Sequence, residues 1–201
     1  FNMHNNGIYG AIPSSINDMV SLKYLDLHNN HIVGPMPNID DLLMLESINL
    51  SHNSLSGNAP GLSTYGDSLK YINLSENILG GNILRDGCQL SQLEHLILAS
   101  NQFEGGLPFC IGNINSIEHI NLSENLFDGP IPTNITDLAS LKYLNLSNNS
   151  FSGNLSDTWG NLESLVELNL SYNSLTGIIP ATIGDLDSIE YILLYRNDLV
   201  G

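Results

Sequence analysis

Residues 141–164 read LKYLNLSNNSFSGNLSDTWGNLES, and this stretch decides the fold because its pattern recurs along the whole chain. Leu144 and Leu146 alternate with outward-pointing neighbours, which is the two-residue period of a strand with one buried face. Asn149 follows the strand, and its amide both donates and accepts hydrogen bonds, so it can satisfy backbone groups freed at the bend. Phe151 then fills the core, and Gly153 permits a tight turn of the backbone.

The asparagine and the glycine of this unit mark a repeat of 24 residues, with a single step of 23. The asparagine recurs at Asn6, Asn30, Asn53, Asn77, Asn101, Asn125, Asn149, Asn173 and Asn197. The glycine, four residues later, recurs at Gly10, Gly34, Gly57, Gly81, Gly105, Gly129, Gly153, Gly177 and Gly201. Stacked copies of the asparagine predict a structural ladder of hydrogen bonds along the chain.

A repeat of about 20–29 residues with the pattern L-x-x-L-x-L-x-x-N predicts a leucine-rich repeat solenoid. We expect an α/β right-handed superhelix of about nine repeats, with a parallel β-sheet on its concave face. Strands about 4.8 Å apart make that sheet roughly 40 Å long. Neither end shows the polar cap that such stacks need, so we expect residues 1–201 to be a single domain and an internal fragment of a longer protein.

A second signature follows the glycine in six repeats: GAIPSSI (10–16), GPMP (34–37), GNAP (57–60), GGLPFCI (105–111), GPIPTNI (129–135) and GIIPATI (177–183). With the strand motif it gives LxxLxxLxLxxNxLxGxIPxxL, which closely resembles the plant-specific extracellular class of leucine-rich repeat. The resemblance implies a second short strand around G-x-I-P and a short 3-10 or irregular convex side, where proline fixes φ. GNILRDG (81–87) and GNLSDTW (153–159) lack the proline and 57–68 is irregular, so we expect local distortion of the flank there.

The segment CQLSQLEHLILASNQFEGGLPFCIGNI (88–114) resembles a unit common in plant receptor-like proteins. The resemblance implies a disulfide between Cys88 and Cys110 on neighbouring coils, and a coil spacing near 5 Å lies within the Cα separation of about 4.4–6.8 Å that a disulfide tolerates. Such a bond would stabilise the fold by roughly 3 kcal/mol and implies an oxidising compartment. Two free buried thiols are the alternative, and no C-x-x-C pair suggests zinc.

Eight N-x-S/T sequons also favour a secreted protein with surface glycans. They lie at Asn49, Asn73, Asn121, Asn134, Asn145, Asn148, Asn154 and Asn169. Five belong to a repeated N-L-S inside the predicted strands, where they are also explained as consensus surface residues. Asn134 and Asn154 lie on the flank or convex side, so we expect them to be the better acceptors.

Composition excludes several classes of function. The chain has 21 acidic and 5 basic side chains, for a formal net charge of −16, and nucleic-acid binding needs clustered Lys and Arg. We interpret the negative net charge as a means of keeping the protein soluble, and binding of a basic partner is the alternative. No apolar stretch is long enough to span a membrane, so anchoring would need segments outside residues 1–201. No catalytic motif occurs, and we expect no enzyme activity, cofactor or metal.

Asn and Ser dominate two outward-facing columns of the predicted concave face. Ile97 and Ala99 break the pattern, as do Leu193 and Tyr195, and apolar residues exposed in a polar sheet indicate a binding surface. Since Tyr and Arg are favoured interface anchors, the predicted ligand- or partner-binding residues are Ile97, Ala99, Tyr191, Leu193, Tyr195 and Arg196. Packing of the second cluster against a further repeat is the alternative.

One further outward position carries a ring in six repeats, which we interpret as consensus packing: Tyr24, Tyr71, His95, His119, Tyr143 and Tyr191.

The resemblance implies an extracellular ligand-recognition module of a plant receptor-like protein or receptor kinase. Its partners would be a peptide, a small hormone or a protein on the concave face, and then a leucine-rich repeat co-receptor. One alternative is a secreted inhibitor of a cell-wall hydrolase, resembling polygalacturonase-inhibiting proteins, which an acidic concave face would favour. Another is an ice-binding protein, suggested by the regular Asn-x-Ser pattern and opposed by the interruption at Ile97 and Ala99.

Overall fold

Each repeat forms one coil that begins with a short strand, as the computed structural model of residues 1–85 and 90–201 shows. The strand Tyr143–Asn145 is typical, because its central Leu144 is fully buried while Tyr143 is exposed. Leu144 pairs in register with Ile120 on one side and with Leu168 on the other, and all strands run parallel. Eight such strands form the concave sheet: Tyr24–Asp26, Ser47–Asn49, Tyr71–Asn73, His95–Ile97, His119–Asn121, Tyr143–Asn145, Glu167–Asn169 and Tyr191–Leu193.

The first repeat contributes a single bridge to the concave sheet instead of the ninth strand that the repeat count predicts. Asn2 pairs with Asp26, and the backbone N of Met3 donates to the carbonyl of Asp26. The sheet is therefore the predicted one, with a shorter element at its first position.

A second parallel sheet, the flank sheet, follows the ladder asparagines. It has nine strands in chain order: Tyr9–Gly10, His31–Gly34, Ser54–Asn58, Ile78–Gly81, Gln102–Gly105, Leu126–Pro130, Ser150–Asn154, Ser174–Ile178 and Asp198–Val200. Most of these strands end at the glycine or one residue beyond it, so they cover the start of the G-x-I-P segment around which the resemblance implies a strand.

The convex side contains short 3-10 helices, and the described residues include no α-helix. The helices are Ser14–Asp18, Leu62–Thr64, Phe109–Asn113, Thr133–Asp137, Trp159–Asn161 and Ala181–Asp185. Helices of five residues directly follow a proline at 13, 108, 132 or 180, whose φ of −64° to −68° directs the chain into the turn.

The repeats without that proline differ on the convex side and keep their flank strands. The helix Trp159–Asn161 has only three residues, although the flank strand Ser150–Asn154 of the same repeat is complete. Leu62–Thr64, in the irregular 57–68 segment, is equally short, although Pro60 precedes it. In these two repeats the distortion expected for the flank is seen in the convex segment, and the flank strands Ser54–Asn58 and Ser150–Asn154 are complete. Residues 86–87 of the other proline-free repeat lie outside the described residues.

The core is one continuous stack of leucine and isoleucine columns between the two sheets and the convex segments. In three adjacent repeats a phenylalanine occupies the core position two residues after the ladder asparagine, where the other repeats have Ile or Leu. Phe103 and Phe127 have ring centroids 6.4 Å apart, and Phe127 and Phe151 have ring centroids 6.3 Å apart. All three rings are fully buried, so the middle of the solenoid is held by a stacked aromatic column.

The ladder asparagines connect each coil to the one before it. Asn101 accepts the backbone N–H of Leu79 on its Oδ1 at 3.0 Å. Its Nδ2 donates to the carbonyl of Leu74 in the preceding coil at 2.9 Å and to the carbonyls of Leu98 and Ala99 in its own coil. The set is the same from Asn30 to Asn173, whereas Asn6 makes only the two bonds within its own coil.

The residue before each ladder asparagine has a left-handed backbone, with φ between 52° and 60°. These residues are Asn5, Asn29, His52, Glu76, Ser100, Glu124, Asn148, Tyr172 and Arg196. The conformation turns the chain sharply enough to bring the asparagine amide under the strand. Residues other than Asn and Gly are strained in this region of backbone conformation. Each coil with such a residue therefore loses some folding free energy at this position.

None of the helices within residues 1–85 and 90–201 is long and apolar enough to cross a membrane.

Candidate ligand-binding surface

The polar columns of the concave sheet satisfy their own hydrogen bonds. Asn121 Oδ1 accepts from the backbone N of Ser123 at 3.1 Å and from its Oγ at 2.7 Å. The same pair occurs in four other coils: Asn49 with Ser51, Asn73 with Ser75, Asn145 with Ser147, and Asn169 with Ser171. Because each serine is also buried, these columns present few free hydrogen-bonding groups to a ligand.

Ile97 and Ala99 remove this pair from the middle of the concave sheet. Ile97 lies in register between Asn73 and Asn121, so an apolar side chain stands between two amides. Ile97 and Ala99 are both half-buried. The sheet therefore has a central position where its self-satisfied polar surface is interrupted.

The structure places the other predicted binding residues four repeats away, on the last coil. Tyr195 packs edge-on against Tyr172, with ring centroids 5.3 Å apart and an interplanar angle of 78°. Tyr191, Tyr195 and Arg196 are exposed, and Leu193 is half-buried. At about 4.8 Å per strand the two clusters are roughly 19 Å apart. They form two separate places on the face and not one site.

Four rings in consecutive coils form a continuous aromatic row beside Ile97, which our sequence interpretation assigned to consensus packing. We name Tyr71, His95, His119 and Tyr143 the aromatic row. Neighbouring ring centroids are 5.6, 6.0 and 5.4 Å apart along it. His95 and Ile97 lie two positions apart on one strand and so share its outward face.

A signal for this row is present in the sequence. The same position holds Ser47 in the coil before the row and Glu167 in the coil after it, so the rings form an uninterrupted run with defined ends. The row and Ile97 together give the concave face a central aromatic and apolar strip.

Charged groups frame the strip on one edge. Lys142 Nζ donates to Glu118 Oε2 at 2.7 Å, and this hydrogen bond lowers the pKa of the Glu118 carboxyl. Burial lowers the pKa of His119, and the neighbouring His95 lowers it further. His119 therefore favours its neutral form, in which the ring can donate and accept a hydrogen bond.

A second charged network lies at the start of the sheet. Lys23 Nζ donates to Glu46 Oε1 at 2.7 Å, and Tyr24 donates its hydroxyl to Glu46 Oε2 at 3.0 Å. The hydrogen bonds from Lys23 and Tyr24 lower the pKa of Glu46, and the hydrogen bond to Glu46 raises the pKa of Lys23.

The sequons differ in exposure. Asn148 and Asn154 are exposed, and Asn134 is half-buried next to the buried Thr136 of its own sequon. The five strand asparagines are half-buried, with their Oδ1 atoms engaged by serine. Their glycosylation stays a prediction.

Cys110 lies in the helix Phe109–Asn113 and is disulfide-bonded. Cys88 lies outside the described residues, so the Cys88–Cys110 pairing stays a prediction. Among residues 1–85 and 90–201, no three His, Cys, Asp or Glu side chains are grouped so that they could hold a metal ion.

Comparison with known proteins places this architecture in context. Two family models, both described as leucine-rich repeat, match residues 153–199 and residues 21–42, 44–64, 92–114, 116–138 and 140–162. The receptor-like protein CLAVATA2 of Arabidopsis thaliana is 36% identical over 59 residues, which are 29% of this chain and 8% of that protein.

Two solved structures bear on function. The Arabidopsis receptor kinase HAESA, solved with the peptide hormone IDA and the co-receptor SERK1, superposes with a TM-score of 0.95 at 33% identity, over 99% of this chain and 34% of that chain. A plant ice-binding protein superposes with a TM-score of 0.72 at 26% identity, over 100% of this chain and 73% of that chain. The chain thus spans about a third of the HAESA chain and a small part of CLAVATA2. The resemblance to plant receptor-like proteins and receptor ectodomains is confirmed.

Proposed function

We propose, from the premise that this chain belongs to the leucine-rich repeat family, that it recognises a peptide ligand outside a plant cell as part of a receptor-like protein or receptor kinase. The function is binding, without catalysis. The observation that carries the proposal is the central strip of the aromatic row and Ile97, bordered on one edge by the Asn and Ser columns, which satisfy each other, and on the other edge by charged groups such as the Lys142–Glu118 pair.

Physical chemistry favours an extended ligand on this strip. Rings bury a large apolar area at low entropic cost, and Tyr is enriched among residues that dominate binding energy. Hydroxyls of Tyr71 and Tyr143 and the neutral ring of His119 supply polar contacts at intervals of one coil. A peptide lying across the strands would meet a new ring about every 4.8 Å.

A co-receptor is the second proposed partner. Tyr191, Tyr195 and Arg196 lie four coils from Ile97, so a ligand on the strip leaves this second place on the face open. HAESA is an example of a receptor kinase that assembles with both a peptide hormone and a co-receptor.

Two observations weigh against the alternatives. The two central columns carry Asn, Ser, His4, His28 and a few apolar residues, with Asp26 as their one carboxylate, so a basic hydrolase would meet few carboxylates in the middle of the concave face. Ice binding requires a regular face, and the aromatic row with Ile97 interrupts the Asn-x-Ser pattern. The structural likeness to a plant ice-binding protein keeps that function as the second candidate, and ice recrystallisation under a microscope tests it.

Calorimetric titration with a panel of synthetic plant peptide hormones, IDA among them, tests the proposal. The double variant Tyr71→Ser and His95→Ser removes half of the row, and serine is compatible with this position because Ser47 occupies it in another coil. Tyr24→Ser is the matched control, since it changes the same position outside the row. We expect the double variant to weaken binding of the best peptide by about tenfold to a hundredfold and the control by less than about threefold. Equal loss in both variants, or no binding by any peptide together with ice activity, would contradict the proposal.

A further inference from the structure

An apolar patch lies on the side of the stack where convex segments turn back into the concave strands. We name Val20, Leu43 and Met44 the side patch. Their side chains are 57%, 63% and 50% exposed. Met44 stands directly before the buried Leu45, and Leu43 stands one residue further back. Val20 holds the same position as Leu43 in the preceding coil, two residues before the half-buried Leu22. The exposure of all three shows that they point away from the core.

Comparison within the chain shows that the patch is specific to these coils. The two positions before the first core residue are polar or small in every later repeat: Asp67 and Ser68, Ser91 and Gln92, Asn115 and Ser116, Ala139 and Ser140, Glu163 and Ser164, Asp187 and Ser188. The repeat itself therefore does not require apolar residues there.

The exposure of Leu43 and Met44 is not a result of lying at the end of the stack. The preceding coil is bonded to this one, since the backbone N of Glu46 donates to the carbonyl of Lys23 at 2.8 Å. The following coil packs just as closely, because a Cβ on Gly66 would lie 3.0 Å from the Leu43 Cα. Both neighbours are in place, and the two side chains still face solvent.

Carboxylates border the side patch. Asp18, Asp41 and Asp67 are exposed near it, and none of them takes part in the ion pairs of the described residues. Asp41 accepts a hydrogen bond from the neutral amide of Asn17. Two basic residues lie close to this border. Lys23 is already paired with Glu46, and Lys70 follows Asp67 by three residues in the next coil. Three carboxylates against one lysine that is unpaired within the described part of the chain give the border a net negative charge around an apolar centre.

We propose that the side patch docks a segment of another protein that presents apolar side chains flanked by Lys or Arg. Burial of the apolar centre supplies the contact energy, and the carboxylates select a basic border and speed association. A second copy of this chain does not fit, because each copy carries a net charge of −16 and the same acidic border. An anionic lipid surface is repelled for the same reason. The surface is separate from the concave strip and does not depend on its ligand.

Fluorescence anisotropy with three short labelled peptides tests this inference. The first has Leu and Met flanked by lysines, the second replaces the apolar pair with serines, and the third replaces the lysines with glutamates. The patch variant Leu43→Asp with Met44→Ser copies Asp67–Ser68 of the following coil. The control variant Ser91→Asp with Gln92→Ser places the same residues where no apolar pair exists. Thermal melting of both variants checks that the fold is kept.

We expect the first peptide to bind about tenfold more tightly than either of the others, and added salt to reduce the difference from the glutamate peptide. The patch variant should lose about fivefold or more of that affinity, and the control variant less than about twofold. Unchanged affinity in the patch variant, or equal binding of the serine peptide, overturns the proposal. If the wild-type chain self-associates or binds phosphatidylserine vesicles and the patch variant does neither, the surface has a different occupant. That result also overturns the proposal.

Discussion

His95 and His119 lie in direct register on adjacent strands, with their ring centroids 6.0 Å apart and an interplanar angle of 68°. Tyr71 extends the contact on one side and Tyr143 on the other. The pair is thus the centre of the aromatic row.

The stability of the fold should depend on pH through His119. An unfolded imidazole takes up a proton near pH 6.5, whereas burial and His95 hold the pKa of His119 lower in the folded chain. Between these two pKa values the unfolded state binds more protons, so stability falls as pH drops through that window and is unaffected above it. His119→Gln should reduce the loss of Tm between pH 7.5 and pH 5, while the exposed control His31→Gln leaves it unchanged. An equal pH dependence in wild type and His119→Gln would contradict this assignment.

Removal of a ladder asparagine should cost more inside the stack than at its first coil. Asn101→Ala leaves the backbone N–H of Leu79 without its acceptor and removes one of the two amide donors to the carbonyl of Leu74, at about 1–3 kcal/mol of unfolding free energy. Asn6→Ala removes only bonds within one coil. Urea unfolding followed by circular dichroism measures both, and a larger loss for Asn6→Ala than for Asn101→Ala would refute the role of the ladder.

Relief of the left-handed strain should stabilise the protein. Glu76 has φ of 56°, where a side chain costs about 1–2 kcal/mol. Glu76→Gly removes this strain at an entropic cost of about 0.5–1 kcal/mol, for a net gain near 0.5–1 kcal/mol. Glu104→Gly is the matched control, because Glu104 lies in the flank strand Gln102–Gly105 and has no positive φ. It should lose stability in the same urea titration, and a loss at both positions would disprove the strain.

The Asn–Gly spacing and the leucine columns were sufficient to predict the stack, because a buried position must be apolar in every coil. The left-handed column was not predictable from composition, since its members include His52, Glu76, Tyr172 and Arg196. Backbone geometry alone imposes that conformation, and the side chains there face solvent and vary freely. The flank strands were expected around the G-x-I-P segment, and they cover its first residues and extend from there toward the ladder asparagine.

The contacts within the aromatic row were not predictable from the sequence for a different reason. Each ring of the row, taken singly, fits the repeat consensus, and only the register of adjacent strands shows that four of them touch in sequence. Ile97 was predicted because it departs from a column of asparagines. Residues that break a pattern are visible in a sequence, whereas residues that act as a group need the register.

Glycan occupancy should follow exposure. Asn154 is exposed, whereas Asn121 Oδ1 is bonded to both the N and the Oγ of Ser123. In protein secreted from plant cells, Asn154→Gln should lower the intact mass by one glycan and Asn121→Gln should leave the glycan mass unchanged. Loss of a glycan from Asn121→Gln would mean that the concave sheet is modified and that ligand access there is obstructed.

Photocrosslinking tests most directly whether the ligand lies on the aromatic row and Ile97. Benzoylphenylalanine replaces Ile97, beside the row, or Val33, an exposed residue of the flank strand His31–Gly34. The best-binding peptide of the hormone panel is added at saturation and irradiated, and the crosslinked fraction is read by mass spectrometry. We predict crosslinking from position 97 and none from position 33. Crosslinking from position 33 in the absence of any from position 97 would place the ligand off the concave face and contradict the account.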